Sequence, residues 1–156
     1  MVRNIMKNRH TWYQGLLLVI INLLVGTACA IDNPDTPDLI SKFKNNEKIY
    51  LKAIENPANG TRDIIRAYHE YKLFLDKELN KAYGTLKSKL SPQRQKELKI
   101  SQRLWIKYRD AEFKLINNNW DRPSFGSSFA VSRGDYSSAI IKKRLMQLLH
   151  YLANYL

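Results

Sequence analysis

Cysteine is almost absent from this chain: the 156 residues contain one, Cys29. That excludes an internal disulfide and any multi-cysteine metal site. Histidine is nearly as scarce. His10, His69 and His150 are far apart, and no HxxxH or HExxH spacing exists. They read as surface or seam residues, so no metal and no cofactor is expected. The six glycines form no phosphate-cradling loop. No stretch alternates with period two between turn signals, so nothing reads as a strand. No repeat or low-complexity segment is present. Acidic residues are also few, 14 against 26 Lys and Arg.

The first thirty residues read as a secretory signal. Arg3, Lys7 and Arg9 make a positive start with no acid, and Gly15 to Val25 is apolar except for Asn22. Ala28-Cys29-Ala30 then offers small residues for cleavage near Ala30. The apolar run is shorter than the roughly 20 residues that span a bilayer. An uncleaved anchor helix over Trp12–Ala28 is the rival reading, weakened by Gln14 and Asn22. Lipid modification at Cys29 is another. It asks for a branched apolar residue where Gly26 stands. Cleavage after Ala30 leaves a cysteine-free chain in the periplasm or outside the cell, stabilised by its core alone.

The leader takes away three of the 26 basic residues and none of the 14 acidic ones, leaving a net charge of +9. A basic exported protein meets anionic partners: lipid headgroups, acidic wall polymers or an acidic protein surface. Export argues against nucleic acid. A solvated basic face that binds nothing in particular is the plainer alternative.

After the leader, residues 31–37 hold two prolines and two acids and read as an extended linker. Thr36-Pro37 then reads as a cap and first-turn proline. Leu39, Ile40, Phe43, Tyr50 and Ile54 recur at helical spacing, so a helix is expected over about 38–55. Asn56-Pro57-Ala58-Asn59-Gly60 turns the chain, and Asn59-Gly60-Thr61 is read as turn chemistry. Thr61 is expected to cap a second helix carrying Ile64, Tyr68, Leu75, Leu79, Ala82, Leu86 and Leu90. Ser91-Pro92 ends it and starts a third. The third helix has a stripe of Leu98, Ser101, Trp105, Tyr108, Glu112 and Leu115, widened by Leu104, Ala111 and Ile116. Residues 121 to about 134 hold Pro123, Gly126, Gly134 and several serines and read as a long loop. A last helix is expected from Asp135, burying Ile140, Ile141, Leu145, Leu148, Leu149 and Leu152. The expected fold is all-α: one domain over 38–156, a small bundle of about four helices. Its frame is a long antiparallel hairpin of helices two and three, each about 28 residues or ~40 Å.

The short Ser91-Pro92 connection sets a register for that hairpin. Asp76, Asn80 and Tyr83 share one face; Gln102, Trp105, Arg109 and Glu112 share another. Asn80 falls level with Gln102, and Asp76 within reach of Arg109. The expectation is a partly buried Asp76–Arg109 pair with Asn80 and Gln102 hydrogen-bonded beside it. Such a network fixes helix register more readily than it lines a binding surface, and half-satisfied it would cost more than an apolar seam.

These residues carry a resemblance. Asp76, Leu79, Asn80 and Tyr83 match an Asp-x-x-Leu-Asn-x-x-Tyr pattern. Gln102, Trp105, Tyr108, Arg109, Asp110, Ala111 and Glu112 match a Gln-x-x-Trp-x-x-Tyr-Arg-Asp-Ala-Glu pattern. Gly126-Ser127 and Arg144 follow in order. The chain over about 61–152 thus resembles the LprI-like lysozyme-inhibitor domain family. The resemblance implies an envelope binding protein rather than an enzyme, with a lysozyme-type hydrolase as partner. Relatives carry cysteines where this chain has Phe113 and Ala67, and near Tyr136. Phe113 and Tyr136 are expected to offset the lost bridges by burying aromatic area.

The residues show no catalytic set of their own. Asp110 and Glu112 diverge on a helix and make a poor acid–base pair. Ser127 and Ser128 have no nearby histidine in sequence to activate them. For inhibition, a loop cation such as Arg122 or Arg133 would enter the two-carboxylate cleft of a lysozyme, beside Trp120 as the exposed aromatic. Common lysozymes are basic, so an acidic one suits a +9 partner better. The alternative is a structural or adaptor module on an anionic envelope surface. It would use Lys87, Lys89, Arg94, Lys96, Lys99, Arg103 and Lys107 near the hairpin tip. Salt dependence of binding separates these readings.

Overall fold

Caps and prolines set the helix boundaries in a computed structural model, which describes residues 38–156. The expectations for the leader, cleavage near Ala30, Cys29 and the 31–37 linker lie outside the described residues. Helix α1 spans Leu39–Ile54. Its cap is Asp38, whose carboxylate accepts from the Ser41 N–H at 2.7 Å. The start therefore lies just past the Thr36-Pro37 pair that the sequence suggested. At its other end the Asn59 side-chain amide donates to the Ala53 and Ile54 carbonyls at 2.8 and 3.3 Å. Helix α2 spans Thr61–Lys89. Gly60, rather than Thr61, is its cap residue, and Asp63 reaches back to accept from the Gly60 N–H at 3.2 Å. Ser91 and Pro92 open α3, Pro92–Asn119.

The segment expected to be a long loop is helical. A short helix α4, Arg122–Phe125, and one 3-10 turn, Gly126–Ser128, lead into α5, Phe129–Ala153. Gly126 has φ +56°, which suits a residue without a Cβ where α4 ends. Gly134, Ser137 and Ser138 are inside α5 and buried. Local propensity argued for a loop; tertiary packing overrides it. Both serine hydroxyls donate to carbonyls one turn back. Gly134 lets the backbone approach Tyr68 so closely that a Cβ there would stand 2.2 Å from the ring.

Helices α2 and α5 run parallel and form the closest pairing. Tyr68, near the start of α2, donates its hydroxyl to Asp135, near the start of α5. Toward their far ends Ala82 and Leu149 line one small cavity with Phe43 of α1. Helix α1 is antiparallel to α2: Phe43 stacks on Phe74 at 5.8 Å, and Tyr50 lies 6.3 Å from Tyr71. Helix α3 is antiparallel to α5, because Arg144 meets Gln102 while Arg133 meets Asn117. The long α2–α3 hairpin is thus present, but its arms are splayed and α5 bridges them. The architecture is an all-α bundle of four long helices, with no strand among the described residues.

The core follows this arrangement. Leu75, Leu145 and Leu148 are fully buried, with Leu79, Leu86 and Ile141 nearly so. Each such side chain contributes about 1.5–3 kcal/mol by burial. The buried surface of α3 is narrower than its sequence stripe suggested. Leu98, Gln102 and Ile116 are covered, whereas Leu104, Tyr108, Ala111 and Leu115 are exposed.

Candidate functional site

The splay leaves an open groove between α3 and α5, closed at one end by the α3–α4 corner. It encloses about 790 Å³, within the range of small-molecule sites. Trp105, Leu115 and Ile116 of α3, Ile140 of α5, and the Trp120–Tyr136 pair form its apolar walls. The two rings of that pair lie 4.5 Å apart. Tyr108 and Glu112 also line it. Trp105 and Phe113 are half-buried and pack against the main core. Tyr136 remains 48% exposed. Phe113 therefore packs as expected and Tyr136 does not.

Arg144 lines the groove from α5. It is 7% exposed, and its guanidinium donates to Gln102 Oε1 at 3.1 Å, Gln147 Oε1 at 2.8 Å and Ser101 Oγ at 3.1 Å. All three acceptors are neutral. Burial pushes its pKa below the ordinary value, and the only opposing charge effect comes from Tyr151. The sequence comparison placed Arg144 and Gln102 in separate motifs. The structure brings them together.

The predicted clasp between α2 and α3 does not form. Arg109 bonds its neighbour Asp110, with Nη2–Oδ1 at 2.8 Å and Nε–Oδ1 at 3.0 Å. It also lies 5.3 Å from the Trp105 ring and 5.8 Å from Phe113. Asp76 has no salt bridge among the described residues. Burial raises its pKa, opposed by the charges of Arg109 and Lys72. Asn80 is exposed and Gln102 is bound by Arg144, so those two do not pair either. The register argument assumed arms in contact, and α5 bridges them instead. Leu79 is core, and Tyr83 packs beside it. Glu112 is half-buried on the groove wall.

The corner itself departs from expectation. Arg133, proposed as a free loop cation, donates to the Trp120 and Asn117 carbonyls at 2.5 and 2.6 Å. It caps the C-terminus of α3, where a cation offsets the helix dipole. Arg122, Phe125, Gly126 and Ser127 are exposed, and Trp120 is half-buried. Asp121 caps the short α4 by accepting from the Ser124 N–H at 2.8 Å. Arg122 forms no salt bridge among the described residues.

A second polar cluster went unread in the sequence. Glu47 is 3% exposed, accepts from the Tyr71 hydroxyl and pairs with Lys142 Nζ at 2.8 Å. It ties α1 to α2 and α5. Burial first, then the Glu47 carboxylate, raises the Tyr71 pKa well above its usual value. The signal was available: Glu47 lies between Phe43 and Tyr50 on the apolar stripe of α1. Among the described residues no group of three His, Cys, Asp or Glu side chains is placed to hold a metal. No described helix is long and apolar enough to cross a membrane.

The described residues thus form a four-helix α bundle with an open groove between α3 and α5. Residues 53–148 match the family described as Lysozyme inhibitor LprI. The chain belongs to that family. The match runs from the end of α1 to Leu148 of α5, most of the bundle. No curated protein and no solved structure matches the chain significantly.

Proposed function

We propose that the protein is an exported, non-catalytic inhibitor of a lysozyme-type hydrolase. The family match over residues 53–148 carries this reading. The exposed α4 corner supports it as the contact: Arg122 and Phe125 are exposed on a turn capped by Asp121, beside Trp120. A guanidinium there suits the two carboxylates of a glycosidase cleft. Arg133 is withdrawn from that role and instead holds the corner in place. The test is a lysozyme inhibition titration with one acidic and one basic enzyme, at low and high salt. Inhibition of the acidic enzyme that weakens with salt, and weakens with Arg122→Glu, supports the reading. No inhibition of either enzyme under either condition rejects it.

One observation favours a second reading, an adaptor on an anionic envelope surface. Lys87, Lys89, Arg94, Lys96, Lys99, Arg103 and Lys107 are all exposed, and none forms a salt bridge among the described residues. Binding to anionic vesicles that is lost in strong salt supports this reading. Binding unchanged by salt contradicts it.

A further inference from the structure

We propose that the groove between α3 and α5 binds a single-chain anionic amphiphile, its acidic head on Arg144 and its apolar chain along the aromatic walls. This does not depend on what the α4 corner contacts.

A guanidinium has five N–H donors. Arg144 uses three, on Gln102, Gln147 and Ser101, and no acidic side chain among the described residues accepts from it. Burying a cation with only neutral acceptors is costly, and an anion brought into the site offsets that cost. The buried cation is not walled off in the core. It lines a groove of about 790 Å³ whose remaining lining is mostly apolar. Lys143 adds a second positive charge on the same groove against one carboxylate, Glu112. Glu112 is not an acceptor for Arg144.

The walls decide the rest of the ligand. Trp105, Leu115, Trp120, Tyr136 and Ile140 offer apolar and aromatic surface with few polar groups, which suits an alkyl chain better than a sugar or a nucleotide. Leu115 and Tyr136 are 57% and 48% exposed, so a chain lying there removes apolar surface from water on both sides. One buried cation and one groove call for one head and one chain.

The test is calorimetric titration of the purified protein with laurate below its micelle concentration. Dodecyl phosphate, dodecyl maltoside, dodecyltrimethylammonium and acetate serve as comparisons. Laurate or dodecyl phosphate binds saturably at one site, and the tighter of the two identifies the head as carboxylate or phosphate. The neutral and cationic chains bind at least about tenfold more weakly, and acetate alone does not bind. Arg144→Gln weakens the anionic chain at least about tenfold. Because Arg144 is buried, a second variant is needed. Ala139 is exposed on α5 and lines the groove, so Ala139→Phe fills it without disturbing the core. That variant abolishes binding while thermal unfolding stays unchanged. No saturable binding of either anion, equal affinity for all three head charges, or undiminished binding by Ala139→Phe would overturn the proposal.

Discussion

The two long sides of α5 are covered differently. Toward α2, α5 presents Ala130, Gly134, Ser137, Ser138, Ile141, Leu145 and Leu148, all buried. Small residues there let the two helices approach until Gly134 touches the Tyr68 ring. Toward α3 the contact is looser. The buried α3 side chains are Leu98, Gln102 and Ile116, and Ile100, Leu104, Tyr108 and Leu115 are each more than half exposed. One helix therefore serves as the centre of the core on one side and as the wall of a groove on the other. The α2–α5 seam holds the fold, and the α3 side is left partly open to solvent.

The largest expected difference between the sides comes from equal truncations. Leu145→Ala is expected to cost about 2–5 kcal/mol, because the side chain is fully buried. Leu115→Ala, 57% exposed, should change stability by no more than about 0.5 kcal/mol. Denaturant unfolding of both variants checks the contrast, and similar losses would break it. Gly134→Ala comes next. A Cβ 2.2 Å from the Tyr68 ring forces the helices apart and should cost about 1–3 kcal/mol. A neutral or stabilising result would show that the seam has slack.

The smallest effect concerns Asp76 of α2, which forms no salt bridge with a cation of α3 among the described residues. Burial, opposed by Arg109 and Lys72, raises its folded-state pKa above 3.8. Between those two values the folded protein holds the proton more tightly than the unfolded chain, so stability falls as pH rises through that window. Asp76→Asn should therefore melt slightly higher than the parent at pH 7, and the gain should vanish in acid below the window. Thermal melts of both at pH 7 and pH 3 test this. A lower melting point for the variant at pH 7 would mean that the charges of Arg109 and Lys72 outweigh the burial of Asp76.

Much of the bundle was legible in the sequence. The α2 and α3 boundaries follow from local chemistry, the Asn56–Gly60 turn and the Ser91-Pro92 break, whereas α1 is capped by Asp38 and not by the Thr36-Pro37 pair that the sequence suggested. The buried positions of α2 and of the second half of α5 followed from helical periodicity. The part not legible depends on long-range contact. Gly126, Gly134 and the serines gave loop signals, and only the Tyr68 ring explains why Gly134 belongs inside a helix. The Asp76–Arg109 clasp failed because two helices joined by a tight turn were assumed to touch. Family motifs named Gln102 and Arg144 but not their contact, since nothing in their spacing predicts it. Arg133 looked like a free loop cation for the same reason: its acceptors, the carbonyls of Asn117 and Trp120, exist only once α3 ends beside α5.

Native-state amide hydrogen exchange tests the division between the two sides most directly. Amides of α2 and α5 around Leu75, Leu79, Leu145 and Leu148 should exchange only through global unfolding. Those of α3 between Leu104 and Leu115 should exchange through a smaller opening of lower free energy. Equal protection along α3 and the α2–α5 seam would contradict the account.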